Sequence, residues 1–581
     1  MLHFIDFETF RYDWLCVIAN PITQTETVIA NDPDKLRKYW EKFKSEIFIG
    51  YNIREYDQWI FKGILAGFDP FEINEHIITK GLKGYQFSNT LREYPLIIYD
   101  IIQLNTSLKQ LEAMQGHSIY ESDVDFRLNR KLTPEEIEET IKYCRNDVQE
   151  TMDLFIQLKA DFDVQMELIN EFKLPLSYIG KTQSQLVAEI MGAERKDCKD
   201  EFNLNFPDYL NLIKKYTSIV DWFKKFKTNK QFTDDEKKEI YSQKLDITVA
   251  DCPHTFAWGG LHGAILKYYG TGYYLHIDVS QYYPSLTVKR DYFSRATSEE
   301  GKKRYDMMRL ESIRLKKFPE LKLKRAGYKL CNNKAYGCMK DQYNALYDPL
   351  MANNICVTGQ LSLLLLIEML EYHVELIQSN TDGLIVKLPD LDTYDVVDDI
   401  CYQWEQLTGV TLAFDPIITK IYQKDVNNYL FINEFGDVEA KGAYVKELSK
   451  LDYDLPVVNK AVREYMIHGT PPEDTVNAAT ELIEFQKIVK LTGKYDYMKH
   501  LGHNYTNKCY RVFAVTGDYG GTLYKCKLVF GAPDKCDKVA NTPERCVIGN
   551  GDMSKQVMID YLDRQWYIDL AYERLRQFGG N

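Results

Sequence analysis

The sequence predicts a multidomain chain of mixed α/β and α+β class, on three observations. At 581 residues it exceeds what one hydrophobic core supports, so three or four units are expected. Short β-prone runs recur, at 2–9, 47–50, 275–279 and 375–386. Amphipathic helical patterns separate them. Hydrophobic residues make up 45% and aromatics 13% of the chain, which suits buried cores. No run of 18 apolar residues occurs, so no membrane span is expected. The opening Met1-Leu2-His3-Phe4-Ile5-Asp6 enters a strand at once and lacks a basic stretch, which argues against a signal peptide. Twelve cysteines without a CxxC pair read as reduced thiols of a cytosolic protein, with no zinc site and no disulfide framework.

Residues 2–9 read as a strand. Its period of two puts Asp6 and Glu8 on one face, about 7 Å apart along it. Two such carboxylates repel unless a cation lies between them; an edge strand with a polar face is the alternative. A second apolar strand ends at Gly50, and Asn52 and Asp57 follow at the start of a helix, where Asn52 also suits a cap. Thr133-Pro134-Glu135-Glu136 is a helix start with a capping box. Ile137, Ile141, Cys144 and Val148 form that helix's apolar stripe, and Tyr143 and Asp147 lie at i and i+4 beside it. From 163 to 250 the pattern is helical and connecting, with a charged stretch at 224–238. In Phe256–Gly263, Gly259 and Gly260 sit among aromatics and allow close backbone approach.

The run Leu275–Val279 carries Asp278 at its end and then turns through Pro284. A carboxylate there can hold a divalent cation or simply start a turn. The net charge is −13, yet residues 302–329 carry eleven Lys/Arg against Asp306, Glu311 and Glu320, a local +8. Local charge governs phosphate binding more than the total does, although a solvated helical face reads the same way. Tyr328–Gly337 places Lys329, Asn333, Tyr336 and Gly337 at the spacing KxxxNxxYG. Leu361–Met369 is an apolar helix. Glu375–Val386 reads as a hairpin with Asp382-Gly383 at its tip.

In this order, the stretches around Asp278, Lys329–Gly337 and Asp382 resemble motifs A, B and C of family B DNA polymerases, most closely the small phage enzymes. The set Asp6/Glu8, Asn52/Asp57 and Tyr143/Asp147 resembles the Exo I, II and III motifs of DnaQ-like 3′–5′ exonucleases. Ser107-Leu108-Lys109-Gln110-Leu111 resembles an element that holds single-stranded primer. Phe256–Gly263 resembles the YxGG element, with Ala257 at the tyrosine position. Lys441 and Tyr444 resemble the KxY element at the primer terminus, with one extra residue between them. Three further departures stand out: Gln281-Tyr282 replaces Ser-Leu, Gln360 lacks the arginine charge of a template contact, and Asn380 replaces the first aspartate of motif C.

The resemblance implies a ribonuclease-H-like exonuclease domain followed by a right-hand polymerase. The expected parts are 1–195 for the exonuclease and its connecting helices, 196–295 for a connection and the first part of the palm, 296–345 for the fingers, 346–435 for the palm and 436–581 for the thumb. It implies Mg²⁺ or Mn²⁺, two per site. Asp278, Asp382 and the Val279 backbone would hold one pair; Asp6, Glu8, Asp57 and Asp147 would hold the other, with Tyr143 orienting water. Tyr283 would gate the sugar, and Lys329, Asn333, Tyr336 and Gly337 would line the nucleotide pocket. Asn52, Ser107, Leu108, Gly259, Gly260, Lys441 and Tyr444 would touch DNA. The implied partners are primer-template DNA, dNTPs and a single strand in the exonuclease site, with room for replication accessory proteins and no membrane. The expected form is a cytoplasmic monomer, in the host if the chain is phage-encoded. Two other readings remain: an exonuclease with an impaired polymerase site, and a non-catalytic single-strand binder.

Overall fold

Contacts in the computed structural model, which describes residues 1–102 and 106–579, divide the chain into two units. The first holds Met1–Thr182, Leu448–Val457 and Ala478–Tyr567; the second holds Gln183–Glu447, Val458–Asn477 and the chain from Ile568 on. The stretch 436–581 is thus shared between both.

In the first unit, Leu2–Thr9 (β1), Trp14–Asn20 (β2), Thr25–Ala30 (β3), Ile47–Gly50 (β4) and Ile98–Asp100 (β5) form one sheet in the order β3-β2-β1-β4-β5. β1 is the central strand, antiparallel to β2 and parallel to β4. Phe4, Ile5 and Phe7 bury both faces of β1, so the strand that carries Asp6 and Glu8 is fixed by core packing rather than lying at an edge. Around the sheet lie Asp57–Ala66 (α1), Leu108–Gln115 (α2) and Pro134–Glu171 (α3). α3 starts where its capping box dictates: Glu136 N donates to Thr133 Oγ1, and Thr133 N donates to the Glu136 carboxylate at 2.8 Å. Cys144 and Val148 then press onto the sheet, while Ile137 and Ile141 are half-buried. Asn52 is no cap: it has φ 64°, and Tyr56 occupies the cap position of α1.

The second unit is built on a ten-stranded sheet. Its strands are Lys244–Val249 (β6), Cys252–Ala257 (β7), Gly260–Ala264 (β8), Tyr268–Val279 (β9), Glu375–Asn380 (β10), Gly383–Leu388 (β11), Leu412–Phe414 (β12), Ile418–Asp425 (β13), Asn428–Asn433 (β14) and Val438–Lys441 (β15). The order is β15-β14-β13-β9-β11-β10-β8-β7-β6, with β12 beside β9. Between β9 and β10 run Tyr282–Lys289 (α4), Glu299–Arg314 (α5), Lys322–Lys340 (α6) and Pro349–Leu370 (α7), and Thr393–Thr408 (α8) follows β11. One face of β9, Leu275, Ile277 and Val279, is buried in a core with Leu361, Leu364 and Leu365 of α7 and Trp404 of α8. Period two therefore turns His276 and Asp278 to the opposite face. An 18-residue window of α7 is long and apolar enough to cross a membrane, but 94% of it is buried in the protein; it is a core helix.

The first unit resumes near the C-terminus with Lys487–Lys490 (β16), Tyr497–His500 (β17), His503–Tyr505 (β18), Cys509–Ala514 (β19), Tyr524–Lys527 (β20), Lys535–Lys538 (β21) and Cys546–Ile548 (β22). They make two small sheets, β16-β19-β22 and β18-β17-β20-β21. Here the expectation of twelve reduced cysteines is corrected. The register of β20 on β21 sets Cys526 opposite Cys536, and the two are joined by a disulfide; the other ten are buried free thiols. Arg511 of β19 is fully buried and holds this region to α2. Its guanidinium donates to Gln486 Oε1, Gly549 O, Gly551 O, Ala113 O and His117 O at 2.8–3.2 Å. Arg511→Leu leaves those acceptors buried and unpaired, so it should destabilise the first unit by about 3 kcal/mol. Urea unfolding and hydrogen exchange at β16 and β19 amides read this out; unchanged exchange there would refute the clamp.

Candidate functional site

In the first unit, β1 delivers Asp6 and Glu8, Asp57 is the first residue of α1, and the third and fourth turns of α3 deliver Tyr143 and Asp147. Phe7 N donates to Asp57 Oδ1 at 3.2 Å, which ties α1 to β1. Cys144 Sγ donates to Asp6 O at 3.3 Å, which ties α3 to the same strand. The four carboxylates lie close enough to act on one another electrostatically. Burial first, and then mutual repulsion, pushes Asp6 and Glu8 well above the ordinary carboxylate range. Asp57 is pushed up to about 7, mainly by burial, against the pull of the Phe7 hydrogen bond. Asp6 Oδ2 is buried with no hydrogen-bond partner. These residues, with Asn52, Arg11 and Phe126, line a cavity of about 680 Å³. Clustered hard oxygen donors, one of them without a donor of its own, fit Mg²⁺ or Mn²⁺.

One cation already belongs to this cluster. Lys109 Nζ donates to Asp147 Oδ1 at 2.5 Å and to Glu112 Oε1 at 2.7 Å, and it lies 4.7 Å from the centre of the Tyr143 ring. The sequence singled out its neighbours Ser107 and Leu108 instead. Ser107 is the cap of α2, in a capping box with Gln110, and that cap aims Lys109 inward.

In the second unit, the register of β11 on β9 sets Gly383 opposite Asp278, and Val279 N donates to Asp382 O at 2.7 Å. A Cβ at Gly383 would lie 2.9 Å from Ile277 O, so glycine lets the hairpin tip close onto β9. Asp278 is pushed up to about 6 by burial and then by Asp382. Asn380 Oδ1 accepts from Thr381 N at 2.9 Å, and His262 of β8 lies close enough to feel both Asn380 and Asp382. Gly260, at φ 150°, passes under the tip, where a Cβ would stand 3.0 Å from Thr381 Oγ1. Gly259 lies in the tight turn before it. Gln360 is buried and exchanges hydrogen bonds with the backbone of Ala257, so it braces the β7–β8 turn from inside.

The helices complete the surroundings. Gln281, at φ 48°, caps α4 and donates to Ser312 Oγ of α5 at 2.6 Å. Tyr282 is buried and donates to Gly359 O at 2.6 Å. Tyr283 instead packs on Tyr336 of α6, ring centres 4.6 Å apart. On α6, Lys329, Asn333 and Gly337 recur every four residues along one exposed stripe. The basic segment covers α5 and α6, where Arg309 and Arg314 pair with Asp306 and Glu311 within α5. Lys441, exposed at the end of β15, acts electrostatically on His262. Tyr444 stacks under Arg574 and Lys424, 4.3 and 5.4 Å from its ring centre.

Sequence reasoning missed His276. It lies two residues before Asp278 on the same face, and its Nδ1 is 2.7 Å from Asp415 Oδ2. Burial opposes its protonation, but the Asp415 hydrogen bond raises it above its ordinary value. Glu439, held by Tyr429 at 3.0 Å, lines the same small cavity. The period-two pattern alone was enough to flag His276.

No family model matches the chain, and no curated protein matches it. Among solved structures it is similar to the family B DNA polymerase from the hyperthermophilic archaeon Pyrobaculum calidifontis, at 13% identity over 99% of this chain and 77% of that one, with a TM-score of 0.42.

The raised carboxyls set a pH dependence. Between about pH 4 and 7 the unfolded chain has released the Asp57 proton that the metal-free folded unit keeps, so the folded state loses stability as pH rises through that window. The unfolding temperature of metal-free protein should fall from pH 5 to 7.5, Mn²⁺ should restore it at pH 7.5, and Asp57→Asn should lessen the slope. A profile identical in wild type and Asp57→Asn, without response to Mn²⁺, would contradict the cluster.

Proposed function

We propose that the chain is a template-directed DNA polymerase of small phage type with a proofreading 3′–5′ exonuclease. The observation that carries the reading is the pairing of Asp278 and Asp382 at adjacent strand ends, with Tyr283 on the helix that follows Asp278 and packed on Tyr336 of the helix that carries Lys329, Asn333 and Gly337. The buried cluster of Asp6, Glu8, Asp57 and Asp147 supports the second activity. Bound Mg²⁺ or Mn²⁺, two per site, would supply Lewis-acid charge to the reacting phosphate and activate the attacking hydroxyl or water.

The chain's own residues do the rest. Asp278, Asp382 and the Val279 carbonyl hold the ions for extension; Asp6, Glu8, Asp57 and Asp147 hold them for excision. Lys329 meets the triphosphate as a mobile point charge. Asn333 and Tyr336 line the nucleotide pocket, Gly337 permits close approach, and Tyr283 lies under the sugar and excludes a 2′-OH. Tyr143 orients the attacking water in the exonuclease site, with Asn52, Ser107 and Leu108 along the single strand. Gly259, Gly260, Lys441 and Tyr444 steady the primer-template. The proposed fingers and palm keep the boundaries read from the sequence, whereas the stretch 436–581 read as thumb is divided between the two units. Binding rests on phosphate contacts and weakens steeply with salt.

A labelled primer-template with Mg²⁺ tests this. Wild type should lengthen the primer with all four dNTPs and shorten it without them. Asp6→Ala with Glu8→Ala should slow shortening about a thousandfold, the equivalent of about 4 kcal/mol, and leave extension intact. Shortening without extension would favour an exonuclease with an impaired polymerase site, the reading that Asn380 invites. Binding with neither activity would leave a single-strand binder.

A further inference from the structure

The first unit carries a second group of ligating side chains that neither proposed activity uses. His117 follows the glycine that ends α2, and Glu150 and Asp153 lie one and two turns beyond Asp147 on α3. His117 Nδ1 is 2.7 Å from Glu150 Oε2 and 2.9 Å from Oε1. One ligand atom from each of the three residues falls within 4.8 Å of the others. Donors about 2.1 Å from a shared ion lie no more than about 4.2 Å apart, so a small side-chain adjustment closes the set. All three line a cavity of about 1190 Å³, which leaves a coordination position open to water.

A separate feature points to a cation. Glu112 of α2 is fully buried; its Oε1 takes Lys109 and Asn146, while its Oε2 is buried without a partner. The Glu112 carboxylate acts electrostatically on both Glu150 and His117. Glu150 is itself 6% exposed. Buried carboxylates beside one another favour positive charge between them, of which Lys109 supplies part on the Glu112 side. Lys109 is committed to Asp147 as well as to Glu112, and Arg511 to Gln486 and four backbone carbonyls. His117 brings one positive charge at most, whereas a divalent ion brings two. An imidazole nitrogen with carboxylate oxygens selects Zn²⁺ over Mg²⁺.

We propose that His117, Glu150 and Asp153 form a Zn²⁺ site that clamps α2 to α3. The ion takes the place of the hydrogen bond between His117 Nδ1 and Glu150, and the buried Glu112 carboxylate adds negative charge nearby. Because α2 carries Lys109, the clamp fixes the cation that meets Asp147. The site exists whether or not the neighbouring cluster cuts DNA.

The test uses the full chain, stripped with chelator, carrying Asp6→Ala, Glu8→Ala and Asp278→Ala so that the other two clusters are disabled. Titration with Zn²⁺ alone, followed by calorimetry, should give one equivalent bound and a rise in unfolding temperature. Co²⁺ alone should give a visible absorption band from a His-containing site. His117→Ala should weaken Zn²⁺ binding at least tenfold and abolish that band. Asp153→Asn, at a half-exposed position with circular dichroism matched to the parent, should weaken binding by a similar factor and remove the thermal shift. No stoichiometric Zn²⁺ binding by the parent, or equal affinity in parent and Asp153→Asn, would overturn the site.

Discussion

β9 and β11 run side by side with Asp278 opposite Gly383, and Val279 N reaches Asp382 O at 2.7 Å. That backbone pairing fixes two carboxylates at neighbouring strand ends. Their charges repel, and Asp278 is already pushed up to about 6. The arrangement survives because the reverse face of β9 is locked into the core by Leu275, Ile277 and Val279 against α7 and α8. Packing on one face holds like charges together on the other. The surrounding parts follow from it: glycine at 383 for the close approach, Gly260 beneath the tip, and Tyr283 placed by the turn after Val279.

The first unit solves the same problem differently. Asp6 and Glu8 sit on a central strand flanked by strands on both sides, while Asp57 and Asp147 arrive on helices tied to that strand by Phe7 and Cys144. Burial is deeper, and Lys109 sits inside the cluster. It balances part of the negative charge and holds Asp147 against Tyr143.

Much of this was legible in the residues because short-range physics fixes it. The capping box at Thr133 set the phase of α3, and that phase decides where Tyr143 and Asp147 point. Period two placed Asp6 with Glu8, and Asp-Gly placed the hairpin tip. What stayed hidden needed long-range pairing. Lys109 meets Asp147 38 residues on, His276 meets Asp415 139 residues on, and Cys526 meets Cys536 only through the β20–β21 register. Asn380 read as a lost ligand in sequence; in space its amide oxygen accepts from Thr381 N at the hairpin tip.

The decisive measurement is single-turnover incorporation of one dNTP by Asp382→Asn and by Asn380→Asp, each with Mg²⁺ and with Mn²⁺. If Asp278 and Asp382 hold the catalytic ions, Asp382→Asn should lose several kcal/mol of transition-state stabilisation, about a thousandfold in rate. Asn380→Asp should change the rate by about tenfold or less, the equivalent of about 1.4 kcal/mol. Wild-type incorporation by Asp382→Asn would contradict the assignment of the ligands, and a hundredfold gain in Asn380→Asp would mean that the natural site is impaired.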